Sequence, residues 1–157
     1  MELVGVRVEI PANTPMVLLQ EQSGDHRLLP IYIGSPEAAA IHYALEGTEP
    51  PRPLTHDLFV SVLGTLGATL DKVVVTEVRE HTYFAELHLT VAGAEHVVSS
   101  RPSDAIALAV RSGAGIFADD ALLDEVGQVP EPVAADEDEI IDEFKDFIEH
   151  VSPEDFA

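Results

Sequence analysis

Twice along this chain a run of residues with strand periodicity gives way to a helix opened by proline, and that double switch constrains the fold more than any single residue. Residues 2–10 set Leu3, Gly5, Arg7 and Glu9 against Val4, Val6, Val8 and Ile10, the period of two that points successive side chains to opposite faces of a sheet. After a turn at 11–15, residues 16–21 and 27–33 read as two more strands. Gly34-Ser35-Pro36-Glu37 then starts a helix: Ser35 suits the cap, Pro36 the first helical position, and Glu37 the positive end of the dipole. The helix is expected to reach Leu45, with Gly47 past its end. The second round places strands at 70–78, 82–91 and 95–99, followed by a helix opened by Pro102-Ser103-Asp104, running through Arg111 and stopped by Gly113.

Between the two rounds lies a proline-rich loop at 48–53. It leads to a helix capped by Thr55, with Asp57 in its first turn and an expected buried stripe of Leu58, Phe59, Val62, Leu63 and Leu66. Ile116-Phe117 leads to a capping Asp119 and a brief helix ending at Gly127. The predicted fold is α+β, a mixed β-sheet with helices, in which a β-β-β-α unit occurs at 2–45 and again at 70–111. A chain of 157 residues with 46% hydrophobic content fits one domain burying roughly 70% of its unfolded surface. It needs no disulfides, and the absence of cysteine excludes thiolate metal sites and cysteine nucleophiles.

Residues 1–127 form the predicted domain and 128–135, with Pro130 and Pro132, a linker. From 136 the sequence reads as an acidic amphipathic helical tail. Asp136 followed by Glu139 resembles a capping box, and Ile140, Phe144, Phe147, Ile148 and Val151 recur at helical spacing. The tail is expected to pack on its own domain. The alternatives are docking on another subunit or partner, and carboxylates that guard a cationic site.

Charge narrows the function classes. The formal net charge is −21, and residues 131–157 hold eleven acids and one base, leaving a net of −11 for the first 130. Such a surface repels phosphate backbones, so any role with nucleic acid depends on a local site working against the global field. The start Met1-Glu2-Leu3-Val4 lacks a signal-peptide signature, and no apolar run approaches the roughly 20 residues of a membrane span. A cytoplasmic protein without membrane contact is expected.

Two polar constellations mark the helix starts: Arg52-Pro53-Leu54-Thr55-His56-Asp57, and Ser99-Ser100-Arg101-Pro102-Ser103-Asp104. Helix N-termini offer free N–H groups to anions, and arginine offers a planar fork for phosphate oxygens. Histidine moves protons near neutrality, while Asp and Glu orient it or hold a divalent ion. Each residue also has a structural use. Thr55 and Asp57 can simply cap, Arg101 and Asp104 can simply pair, and His56 can be an ordinary hydrogen-bonding group. The remaining histidines lack metal-ligand spacing, apart from His88 near Glu86, and there is no Walker loop, dinucleotide fingerprint or nucleophile elbow.

With Leu29–Gly34 and Glu37-Ala38, these segments carry a family likeness. Over residues 1–127 the chain resembles the bifunctional nuclease domain family, most specifically at RPLTHDL (52–58) and RPSDAIAL (101–108), and its ending at 151–156 resembles actinobacterial members. The resemblance implies cleavage of RNA and DNA, and a homodimer or larger ring. An enzyme that cuts DNA cannot use a 2′-hydroxyl nucleophile, so water must attack phosphorus. Residue chemistry then gives His56 as general base or acid and Asp57 as its orienter or a metal ligand. Arg101 becomes the phosphate clamp, with Ser103 a further donor and Arg52 and Thr55 substrate contacts. Asp104 and Glu37 become candidate ligands for Mg²⁺ or Mn²⁺. The competing expectation is a non-catalytic module that binds an anion or a protein.

Overall fold

Proline and glycine punctuate seven strands and four helices among the described residues of the computed structural model, which are 1–9, 12–48 and 50–130. Glu2–Glu9 (β1), Thr14–Gln20 (β2) and Leu28–Tyr32 (β3) form an antiparallel meander. Ser35–Leu45 (α1) and Thr55–Thr65 (α2) follow. Ala68–Arg79 (β4), Thr82–Val91 (β5) and Ala94–Ser100 (β6) form a second meander, and Pro102–Ser112 (α3) leaves its last strand. Gly115–Ala118 (β7) joins β4 in parallel, and Asp120–Val126 (α4) completes the order. The α+β class and the repeated β-β-β-α order are present, but the strands lie in two sheets, and only the second is mixed.

The two sheets meet on α3. Its Ile106 and Ala107 join Val17, Leu19, Leu29, Ile31 and Ile41 from the first meander and α1, together with Leu122 and Leu123 of α4. Its Ala105, Leu108 and Ala109 join Leu70, Val73, Ala85, Leu87 and Leu89 of the second sheet. A helix apolar on most of its circumference is stable only when enclosed. The alanines bring its backbone close to both layers. Gly113, at φ 74°, ends it in the left-handed conformation that a side chain disfavours.

Two expectations need correction. In β1 the strict alternation fails, because the register shifts between Leu3 and Gly5; such a bulge moves later side chains to the other face. Leu3 and Val6 therefore both pack on the core, while Val4 and Val8 are exposed. In α2 four of the five residues of the predicted buried stripe face outward, Leu63 being the exception: Leu58 is 54% exposed, Phe59 47%, Val62 46% and Leu66 70%. Val60 and Leu63 are the α2 side chains that reach the second core. The predicted linker begins with ordered backbone, since Gln128 exchanges hydrogen bonds with Leu28 at 2.8 and 2.9 Å. The predicted acidic helical tail, 136–157, lies outside the described residues. No helix of the described residues is long and apolar enough to cross a membrane.

Candidate functional site

The helix starts predicted to carry chemistry face one another because α3 packs against both α1 and α2. A cleft of about 620 Å³ opens between them, lined by Pro36, Glu37 and Tyr43 of α1, Pro53 to His56 of the α2 start, and Arg101 and Asp104 of the α3 start. Leu54 and Arg101 are the N-cap residues of α2 and α3, and Gly34 that of α1. Neither Ser35 nor Thr55 caps through its side chain. The capping contact at α2 comes from Asp57, whose Oδ2 accepts the Leu54 N–H at 2.8 Å, which satisfies a donor at the helix entrance.

Four charged or titratable side chains form a connected chain at the cleft. Arg101 donates from Nε to Asp104 Oδ2 at 2.7 Å and from Nη2 to Asp104 Oδ1 at 3.1 Å. The same Nη2 lies 3.0 Å from Glu37 Oε1. On the far side, His56 Nε2 is 3.0 Å from Asp104 Oδ1. Burial pushes the Asp104 carboxyl up, but the hydrogen bonds from Arg101 and His56 outweigh it and leave the group below the ordinary carboxylate range. The bonds to Asp104, and then the Glu37 contact, raise the Arg101 guanidinium further above its already high value. In the neutral tautomer that gives Nε2–H to Asp104, Nδ1 is the nitrogen that can accept a proton. Arg101 is 64% exposed at its side chain, so its pairing does not seal it from solvent.

Asp57, expected to orient His56, is engaged elsewhere: the carboxylate that reaches the ring is that of Asp104. Arg111, in the last turn of α3, donates Nε–H to Asp57 Oδ1 and bonds the carbonyls of Ala107 at 3.0 Å and Ala40 at 2.9 Å. This largely buried guanidinium ties α1, α2 and α3 together, and its hydrogen bond, against a smaller opposing effect of burial, holds Asp57 below its ordinary range. Ser103 is 6% exposed and does not line the cleft. Thr55 lines it, whereas Arg52 is exposed and is not among the residues that line it.

As placed, the carboxylates do not make a cation cage. Among the described residues no three His, Asp or Glu side chains are grouped to hold an ion. Glu37 and Asp104 share the single positive charge of Arg101, and Asp57 pairs with Arg111. Two residues that sequence reasoning missed are Arg111 and Tyr43. Tyr43 had a usable signal: it lies three residues after Ala40, itself three after Glu37, so each neighbours the next along the α1 surface, and all three line the cleft.

Comparison with known proteins places the chain in a family. The model of the bifunctional nuclease domain matches residues 17–131, a span that contains both helix starts and Arg111. An uncharacterized protein of Mycobacterium tuberculosis, present in two strains, is 42% identical over 160 residues, covering 98% of this chain and 95% of its own. Plant proteins named bifunctional nuclease 1 (Oryza sativa) and bifunctional nuclease (Oryza minuta) are 28% identical over 109 residues. Those matches cover 68% of this chain and 33% of the plant proteins. A family match across most of the chain, including the cleft and the helix that braces it, means that this protein belongs to the bifunctional nuclease domain family.

Proposed function

We propose that the chain is a nuclease that hydrolyses phosphodiester bonds of RNA, DNA or both in the cleft between the α2 and α3 starts. The observation that supports this best is the convergence of residues 52–57 and 101–104 on one solvent-open cavity, with His56 held by Asp104 and Arg101 beside it. In this reading Asp104 fixes the imidazole, as a carboxylate does in hydrolytic triads. His56 takes a proton from water as the water oxygen bonds to phosphorus and the ester P–O bond breaks. The leaving oxygen takes its proton from bulk water. Arg101 stabilises the charge that accumulates on the phosphoryl oxygens, after the substrate phosphate displaces Glu37 or Asp104 from its fork.

That displacement also favours a second reading. Two carboxylates, Glu37 and Asp104, share the one guanidinium of Arg101, and every member of the cluster already has a partner. A non-catalytic module that binds an anion or a protein would tolerate this pairing without turnover. The assay that separates the two uses end-labelled single-stranded RNA and DNA with wild type, His56→Ala and Arg101→Ala, each with Mg²⁺, Mn²⁺ or a chelator. The nuclease reading expects cleavage by wild type and a loss of about 10²-fold or more in either variant, the ordinary scale for a general base or a charge stabiliser. Dependence on a divalent ion is part of the same proposal and is read from the chelator arm. An inert wild type, or variants that cut equally well, moves the assignment to the binding module.

A further inference from the structure

The cleft is chemically two-ended. At one end stand Arg101, His56 and their carboxylates. At the other, Tyr43 is 45% exposed and faces the same cavity as Leu54 and Pro53. Tyr43 follows Glu37 by six residues on α1, and so lies about 9 Å further along the helix axis. Between them Ala39 and Ala40 form a floor without bulk. A charged cluster and an aromatic side chain lining one cleft suit the phosphate and the base of one nucleotide. Aromatic rings take unpaired bases by stacking, which every base permits. A base within a duplex does not offer that face.

Charge elsewhere points the same way. Gripping a duplex takes many phosphate contacts along a cationic track. Here Arg27 is committed to Glu21 and Asp124, Arg79 to Glu77, and Arg111 to Asp57. Among the described residues the remaining bases are Arg7, Arg52 and Lys72, none of which lines the cleft, within a chain of net charge −21.

Resting on the nuclease reading above, we infer that the cleft holds a single extruded nucleotide of a single-stranded nucleic acid, with Tyr43 as the platform for its base. Substrate choice therefore lies with unpaired strands and frayed ends.

The test measures binding and cleavage separately. Anisotropy of a labelled single-stranded hexanucleotide is followed with wild type, Tyr43→Ala and Tyr43→Trp, and wild type is also given oligonucleotides with one abasic site and a matched duplex. Tyr43→Ala should bind roughly tenfold or more weakly, with Tyr43→Trp restoring affinity, as expected for a lost stacking platform. An abasic position should cost wild type a similar factor, and the duplex should not compete. The salt dependence of log K should be shallow, about −1.4 to −2.1, corresponding to two or three phosphate contacts on a single strand. Equal binding by Tyr43→Ala, indifference to the abasic site, or preference for duplex overturns the inference. Failure of the nuclease reading looks different: the single strand binds with the Tyr43 dependence intact, but no product forms. The abasic arm uses wild type, so it stands even if a variant folds poorly.

Discussion

Helices α2 and α3 have the same length, 11 residues, and each starts at one of the two polar constellations, yet they are built on opposite plans. Seven residues of α3 are buried, from Pro102 to Ala109, whereas α2 has none. Helix α3 is the frame on which both sheets close, and its first turn inherits that rigidity. Helix α2 is held mainly by Val60, Leu63 and the Arg111–Asp57 tie. The difference teaches where the site's precision originates. Arg101 and Asp104 are fixed because their helix is enclosed, and His56 is fixed because Asp104 reaches across to it.

This contrast can be broken by experiment, beginning with the core. Ile106→Ala should cost about 2–5 kcal/mol of unfolding free energy, the range for truncating a fully buried aliphatic side chain, measured by urea denaturation. A cost near zero would mean that α3 is not the frame. Acid should come next. Asp57 and Asp104 both have folded-state pKa values below their unfolded ones. Their contribution is therefore complete above the unfolded carboxylate value of about 4, and it is lost as pH falls through the depressed folded values, where the unfolded chain has already taken up protons. Asp57→Asn should flatten the acid limb of the stability curve while preserving the Arg111 contacts to Ala40 and Ala107. A limb of unchanged steepness would show that the tie contributes nothing. The smallest effect is expected on the outer face of α2, where Val62→Ser should change stability by no more than about 0.5 kcal/mol. A loss of several kcal/mol there would mean that this face is covered in solution.

Much of this was legible in the sequence where the causes are local. Pro36 and Pro102 mark helix entrances, Gly113 marks an exit, and the alternation in 82–91 gives β5 and its buried Ala85, Leu87 and Leu89. The convergence of 52–57 with 101–104 was legible only as two helix starts of matching chemistry. What escaped depends on partners distant in the chain. The stripe on α2 shows which side is apolar but not whether anything lies opposite. Asp57 is adjacent to His56 in sequence and is therefore the obvious orienter; the carboxylate that reaches the ring stands 48 positions away on α3. The bulge in β1 reverses a face that periodicity alone keeps constant. Arg111 looks like an ordinary last-turn cation until Ala40 and Asp57 are brought to it.

If the proposed nuclease function holds, the two helix starts act as one catalytic unit, and a double-mutant cycle on cleavage decides whether they do. Single-turnover rates on a labelled single strand are measured for wild type, His56→Ala, Arg101→Ala and the double variant. Groups that serve the same transition state are strongly non-additive. The double variant should therefore be little slower than the worse single one. Losses that multiply would contradict a shared site, and a His56→Ala rate equal to wild type would remove His56 from the chemistry.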